Sequence, residues 1–310
     1  MYEPLVTVII PSYNHAQYIE NAISSVLNQT YKNIELIIID DGSLDESHII
    51  IKKYMEYPSV TVQLNSDNNG QSYVLNQGLV MSRGSFVCFL ASDDWYLTNK
   101  IELQVAKFST LSSDYGCVYG TGARYFENES NQIEITLEKF RGNILKEMIT
   151  KPFCVYPATP MFRRECFDKV KFDETHTVEG EGIFIKLAIY YKFDYVDEVV
   201  AVMRDHSYNT GKEVELMYKD NLRWWAEFFQ LPDLPDHIKS LQNFHFSKLH
   251  RMKGLELIRI RRKFKEGRSA LFKAIKIKPI FALDIKVFAG IFLTYIPSAI
   301  SNKLLDFFSV

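Results

Sequence analysis

The sequence predicts an α/β protein built on a mostly parallel sheet flanked by helices, with a helical extension at its C-terminal end. Three observations carry this expectation. Short β-branched apolar runs alternate with helical patterns from residue 5 to residue 90. Acidic pairs stand at the carboxyl ends of two of those runs. The charge of the chain divides sharply, with 14 basic and 3 acidic residues between 247 and 303 in a protein whose formal net charge is -2.

The elements follow in order. Leu5 to Ile10 (LVTVII) and Ile34 to Ile39 (IELIII) suit strands covered on both faces. Between them Tyr18, Ala22 and Val26 alternate with Ile19, Ile23 and Leu27 at helical spacing, and Asn14 is a suitable N-cap. Val60 to Leu64 reads as a third strand, Tyr73 to Ser82 as a further helix, and Phe86 to Leu90 as a fourth, buried strand. Strands alternating with helices imply a parallel sheet, and ligands of such sheets bind at the carboxyl ends of the strands.

Those ends carry the acids. Asp40-Asp41-Gly42-Ser43 closes the second strand, and Asp93-Asp94 follows the fourth in FVCFLASDDW. Adjacent carboxylates repel unless a cation, a proton or a cationic partner compensates them. Carboxylates together with substrate phosphates commonly hold Mg2+ or Mn2+; a helix N-cap with a solvated Asp is the competing reading of the pair.

A length of 310 residues with 47% apolar and 14% aromatic content suits one large domain plus an appendage and excludes a disordered chain. Cys88, Cys117, Cys154 and Cys166 lack metal-site spacing and read as reduced, buried thiols. The first strand begins by residue 5, leaving no room for a signal peptide in the expected layout.

The stretch VTVIIPSYNHAQYIENAISSVLNQTYKNIELIIIDDGSLDES, followed by NNGQSYVLNQGLVMSRGSFVCFLASDDW, PATPMFRRECFDKVKFDE and YVDEVVAVMRDHSYNT, resembles the family 2 glycosyltransferases. The resemblance covers residues 5 to 210 in the family's order and implies the GT-A fold. It implies a catalytic domain over 1–211, with a nucleotide-binding half (1–95) and an acceptor half (96–211), and a helical, basic region over 212–310. It further implies inverting transfer of a sugar from a nucleotide diphosphate donor, a UDP-sugar, to a hydroxyl of a glycan or lipid-linked acceptor in surface polysaccharide synthesis. By position, Pro11 and Tyr13 would line the nucleobase pocket and Asp41 would accept a hydrogen bond from a uracil-like ring. Ser92 and Asp93 fall in the DxD element and would contact the donor nucleotide; its second acid, Asp93, binds Mn2+ or Mg2+, and Asp94 beside it would be a further metal ligand. His206, in an R-x-H pair with Arg204, would complete metal or phosphate contacts or else lie on a surface loop.

Two departures mark this chain. The first acid of the DxD element is Ala91. The family's aspartate base falls on Gly180, flanked by Glu179 and Glu181 in VEGEGIFIKLA. A carboxylate must reach the attacking hydroxyl, so Glu181 is the first candidate for the base and Glu179 the second. Both also suit a helix's first turn, and a degenerate donor-binding subunit without a base is the alternative.

Other residues admit two readings each. Trp95 would cover the sugar or pack in the core. Trp224, Trp225, Phe228 and Phe229 have the spacing of a packing seam. Arg163-Arg164 would face a phosphate-bearing acceptor or form a solvated turn. No glycine-rich phosphate loop follows strand one, which argues against a nucleotidyltransferase and a dinucleotide-dependent oxidoreductase.

The tail gathers Arg259, Arg261, Arg262, Lys263, Lys265 and Arg268 ahead of an uncharged stretch from Val287 to Asn302. That stretch contains Pro297 and is short for a bilayer span of roughly 20 residues. It suits a peripheral position on the anionic, cytoplasmic face of the cell membrane, or a basic helix followed by a core helix. Nucleic acid is not an expected partner, because the body is acidic and no recognition motif occurs.

Overall fold

A computed structural model describes residues 3–135, 137–151, 154–176, 182–207, 209 and 214–307. The chain divides into two compact units, Met1–Asp220 and Asn221–Val310. In the first, β1 (Val6–Ser12), α1 (Ile19–Leu27), β2 (Ile34–Asp41), α2 (Ser47–Lys52), β3 (Val60–Asn65), α3 (Gln71–Met81) and β4 (Phe86–Phe89) alternate as expected. They are followed by β5 (Trp95–Tyr96), α4 (Lys100–Phe108), β6 (Tyr115–Phe126), β7 (Asn131–Ile135), α5 (Leu145–Thr150), β8 (Met161–Arg163), α6 (Gly182–Leu187) and β9 (Lys192–Asp205). The boundary between the units falls within α7 (Val214–Phe228), and α8 (Asp236–Lys239), α9 (Gln242–Arg259), α10 (Phe264–Ile277), α11 (Ile285–Leu293) and α12 (Ser298–Phe307) complete the second.

The first unit holds one nine-stranded sheet in the order β3-β2-β1-β4-β8-β6-β9-β5, with β7 paired to β6. From β3 to β4 the pairing is parallel, then β8 enters antiparallel to β4 and to β6. The strand order reverses between β1 and β4, because β2 and β3 lie to one side of β1 and β4 lies to the other. Such a switch point opens a crevice at the carboxyl ends of the two strands, where ligands of open α/β sheets bind.

The parallel half is buried on both faces. Val6, Val8, Ile10, Leu36, Ile38 and Cys88 share a core cluster with Ile19, Ala22, Ile23 and Val26 of α1. Burying one such aliphatic side chain contributes about 1.5–3 kcal/mol relative to leaving it exposed. On the other face α3 comes close to β1: a Cβ at Gly78 would stand 2.6 Å from Ile9 Cγ2, so only glycine permits this approach.

Two local details differ from the expectation. β1 runs on through Ser12 and β2 through Asp41, because Ser12 pairs with Asp40 and Asp41 with Asn65. Pairing with neighbouring strands, which an apolar run cannot report, extends both. Asn14 is not an N-cap: its φ is 53°, its side-chain oxygen accepts from Leu44 N at 2.8 Å, and α1 begins five residues later. A left-handed Asn here turns the chain across the end of β1.

In the second unit Trp224, Trp225, Phe228 and Phe229 are buried and stack on one another at centroid distances of 5.0–5.7 Å, the packing seam their spacing suggested. All four cysteines are free and buried. Arg163 donates to Tyr115 O and lies over Phe86 and Phe108, while Arg164 pairs with Asp168, so both have structural partners.

Candidate active site

Two loops meet at the switch point. The first, after β1, carries Tyr13 to Gln17 and is tied to the turn after β2. Asn14 N donates to Ser43 Oγ, His15 N to Ser47 Oγ and Ala16 N to Asp45 Oδ2, all at 2.9–3.0 Å. The second loop, after β4, carries Ala91 to Asp94. Ser92, Asp93 and Asp94 are nearly buried there, and the following helix starts only at Lys100, with Asn99 at its N-cap position. Neither acid therefore caps a helix.

Asp93 is the centre of the site. His206 Nε2 lies 3.0 Å from its Oδ2, and Asn209 Nδ2 donates to the same oxygen at 3.3 Å. His15 approaches from the first loop, where its Nδ1 and Ser92 Oγ share a hydrogen bond of 2.7 Å. One ligand atom from each of His15, Asp93 and His206 lies within 4.8 Å of the others. Burial lowers the pKa of His15, with the Asp93 charge opposing and His206 reinforcing the shift.

Asp94, expected beside Asp93 as a second metal carboxylate, turns elsewhere. Its Oδ1 accepts from Arg204 N at 2.9 Å, pinning β9 to the acidic loop. Burial, then the neighbouring Asp93 charge, pushes its pKa well above the usual carboxylate range. Arg204 in turn donates from Nε to Asp93 O at 3.1 Å, and its guanidinium lies 4.9 Å from the Tyr18 and Trp95 rings and 5.5 Å from Tyr125. Trp95 is thus one wall of an aromatic box around Arg204. Tyr18 also stacks on His206 at 4.8 Å, and its phenol donates to Glu127; burial and that carboxylate push its pKa up to about 12.

Beside this cluster a cavity of about 560 Å³ is lined by Tyr13, Asn14, His15, Tyr18, Asp45 and His206, among others. Tyr13 is 40% exposed at its rim, and Pro11 lies within β1, opposite Ile39. Asp41 is 4% exposed, and its carboxylate organises the neighbouring loop: Oδ2 accepts from Asn69 N and Gly70 N, and Oδ1 from Asn65 Nδ2. That loop can close because Gly42, at φ +73°, has no Cβ; one would stand 2.8 Å from the Asp67 carbonyl carbon. Glu179 and Glu181 lie outside the described residues; α6, which starts at the next residue, buries Ile183, Phe184, Ile185 and Leu187.

The donors suit a divalent ion. Ligands sharing an ion at roughly 2.0–2.2 Å stand within about 4.4 Å of one another, close to the spacing here, and two imidazoles with a carboxylate suit first-row transition ions better than Mg2+ or Ca2+. Sequence reasoning missed His15, Tyr18 and Asn209. Asn209 follows His206 by three residues within a stretch already recognised; for His15 the only signal was its place in SYNH after strand one.

The mixed sheet, parallel from β3 to β4 and antiparallel at β8, places this chain in the GT-A fold class. The solved structures agree. TarS 1–349 of S. aureus superposes with a TM-score of 0.65 at 18% identity, covering 94% of this chain and 89% of that one; the same fragment is also known in complex with UDP-GlcNAc. The mannosyltransferase PcManGT of Pyrobaculum calidifontis, in complex with GDP-Man and Mn2+, gives 0.65 at 18% identity over 99% of this chain and 85% of that one. The chain belongs to glycosyl transferase family 2, whose model matches residues 7–171. An uncharacterized glycosyltransferase of Rickettsia prowazekii is 31% identical over 207 residues, 66% of this chain. The chain spans 58% of that relative's length.

Proposed function

We propose that the protein transfers a sugar from a nucleotide diphosphate donor, a UDP-sugar, to a hydroxyl of a glycan or lipid-linked acceptor, with inversion, in surface polysaccharide synthesis. The convergence of Asp93, His206 and His15 at the sheet's switch point, beside an open cavity, carries this reading. Asp93 and His206 would hold Mn2+ or Mg2+, which when bound neutralises the negative charge growing on the leaving diphosphate. Asn209 and Ser92 orient those two side chains and His15. Pro11 and Tyr13 line the nucleobase pocket, and Asp41 shapes it by holding the 65–70 loop while offering its remaining acceptor capacity to a uracil-like ring. Arg204, boxed by aromatic rings, fixes a positive charge behind the acidic loop.

The reaction needs a base. The acceptor oxygen attacks the anomeric carbon as the carbon–oxygen bond to the diphosphate breaks, and the hydroxyl proton passes to a carboxylate. Glu181 is assigned that role, with Glu179 as its substitute. The assay is transfer from UDP-sugars with Mn2+: Glu181→Gln should leave UDP binding intact and lower the rate by about 100- to 10,000-fold. Full activity in the Glu179→Gln/Glu181→Gln double variant would remove both. No transfer and no donor hydrolysis by the unaltered protein across UDP-sugars, despite tight UDP binding, would favour a degenerate binding subunit.

The basic region is assigned a peripheral position on the cytoplasmic face of the cell membrane. Ile285, Phe288, Phe292 and Tyr295 are 56–79% exposed, in a region rich in Lys and Arg. No helix among the described residues is long and apolar enough to cross a membrane. Each cation near an anionic leaflet contributes on the order of 1 kcal/mol. The intact protein should co-sediment with anionic vesicles at low salt and be partly released at high salt; failure to bind at low salt removes the assignment.

A further inference from the structure

We propose that His15 is a third protein ligand of the divalent ion, making a two-imidazole, one-carboxylate centre that holds Mn2+ in preference to Mg2+ and before the nucleotide arrives. The inference rests on the reading of Asp93 and His206 as metal-binding residues and adds a residue from the loop after β1.

The first argument is placement. Asp93 and His206 come from the far side of the switch point, from the loop after β4 and the end of β9. His15 comes from the loop after β1, and its ring centroid stands 5.9 Å from that of His206, edge to face. The loop carrying it is held by three backbone-to-side-chain hydrogen bonds to residues 43–47. The ring itself is anchored by Ser92, the residue before Asp93, and by the edge of Tyr18 at 5.8 Å. A hydrogen-bonded outer partner that fixes an imidazole's orientation is what metal-binding histidines ordinarily have. A side chain serving only as packing would have no need of a serine that orients it beside a carboxylate and a second imidazole.

The second argument is the donor count. This chain has Ala91 where the DxD element carries its first acid. With Asp93 and His206 alone, an ion would depend on nucleotide phosphates for most of its ligands. His15 adds a third protein donor, a nitrogen. Mg2+ favours oxygen donors and retains its water, whereas affinity for imidazole rises along the first-row transition ions from Mn2+, the weakest of them, toward Cu2+. A second imidazole beside one carboxylate therefore shifts the site away from Mg2+, toward Mn2+ and its heavier neighbours.

The test is Mn2+ titration of the full chain followed by electron paramagnetic resonance, with and without UDP. Without UDP, the unaltered protein should bind Mn2+ at least about 10-fold more tightly than His15→Ala, in line with the cost of losing a metal-site partner. Pulsed spectra should show nitrogen couplings from two imidazoles in the unaltered protein and from one in the variant. Mg2+ should displace Mn2+ only at about 100-fold excess or more, an expectation set by ligand preference. Coupling from a single imidazole in the unaltered protein, or equal Mn2+ affinity in His15→Ala, overturns the inference, and the first of these needs no variant to fold. Asp93→Asn separates the two levels of the argument. If it abolishes Mn2+ binding in the presence of UDP while His15→Ala changes nothing, Asp93 keeps its role and His15 loses its own. If Asp93→Asn also binds Mn2+ unchanged, the metal site itself is wrong.

Discussion

Two buried carboxylates sit at opposite ends of the parallel half of the sheet. Glu35, the second residue of β2, lies at the amino ends beside Thr7; Asp93 lies beyond the carboxyl end of β4. Glu35 accepts from Thr7 Oγ1, from the backbone N–H of Arg83 and Gly84, and from Arg83 Nε at 2.9 Å. Two of these four donors are backbone N–H groups that no ligand can displace. Asp93 meets an imidazole and an amide side chain, both of which can share or exchange their contacts with an ion. Burial alone therefore does not mark a functional acid. The exchangeability of its partners does, together with its place at the end of the strands where a crevice opens.

Substitutions at the two positions should separate activity from stability. The largest effect is expected at Asp93: Asp93→Asn should lower transfer on the order of 1,000-fold, the scale on which removal of a group stabilising transition-state charge acts. Its thermal midpoint should change little, because the amide still reaches His206. A large loss of stability with activity retained would reverse the comparison.

Glu35→Gln should act the other way, leaving the specific activity of folded protein near normal. It removes an acceptor from buried donors, each worth roughly 1–3 kcal/mol when left unsatisfied, so a loss of about 3 kcal/mol by chemical denaturation is expected. The Arg83 side chain is 76% exposed and contributes little of this. Burial by itself raises the pKa of Glu35, but the hydrogen bonds from Thr7 and Arg83 outweigh it and the net shift is downward. A carboxyl whose folded pKa is depressed stabilises the protein fully above its unfolded value, near 4.3, and loses that contribution as pH falls through the folded value. Stability of the unaltered protein should thus fall more steeply below about pH 4.3 than that of Glu35→Gln; parallel curves would deny Glu35 this role.

The smallest expected effect is at Asn209. Its amide donates to Asp93 at 3.3 Å and its oxygen accepts from His206 N. In Asn209→Ala water can replace part of this, so a loss of about 10-fold in Mn2+ affinity is expected, within the range for residues supporting metal ligands. No change in a Mn2+ titration would make Asn209 a purely local turn residue.

Much of this was legible in the chain. The alternation of LVTVII, IELIII and FVCFL with helical stretches specified a parallel sheet, because strands buried on both faces must be continuously apolar and crossovers must be helical. The acids after the second and fourth strands then marked the ligand end. What the pattern did not distinguish is how neighbouring acids divide their work. Asp93 and Asp94 are adjacent and chemically identical, yet one faces His206 and the other the backbone of Arg204, 110 residues away in sequence. Asp40 and Asp41 divide likewise, the first closing its own turn through Ser43 and the second holding the 65–70 loop.

The amino-acid sequence alone determined the α/β class, the family and the end of the sheet where the acids gather, since those depend on local periodicity and on motifs contiguous in the chain. Only the tertiary structure decided that His15, Asp93 and His206 converge. Their separations of 78 and 113 residues are closed by the reversal of strand order between β1 and β4 and by the return of β9 to the acidic loop. Such proximity is a property of sheet topology, which no short-range pattern of residues encodes.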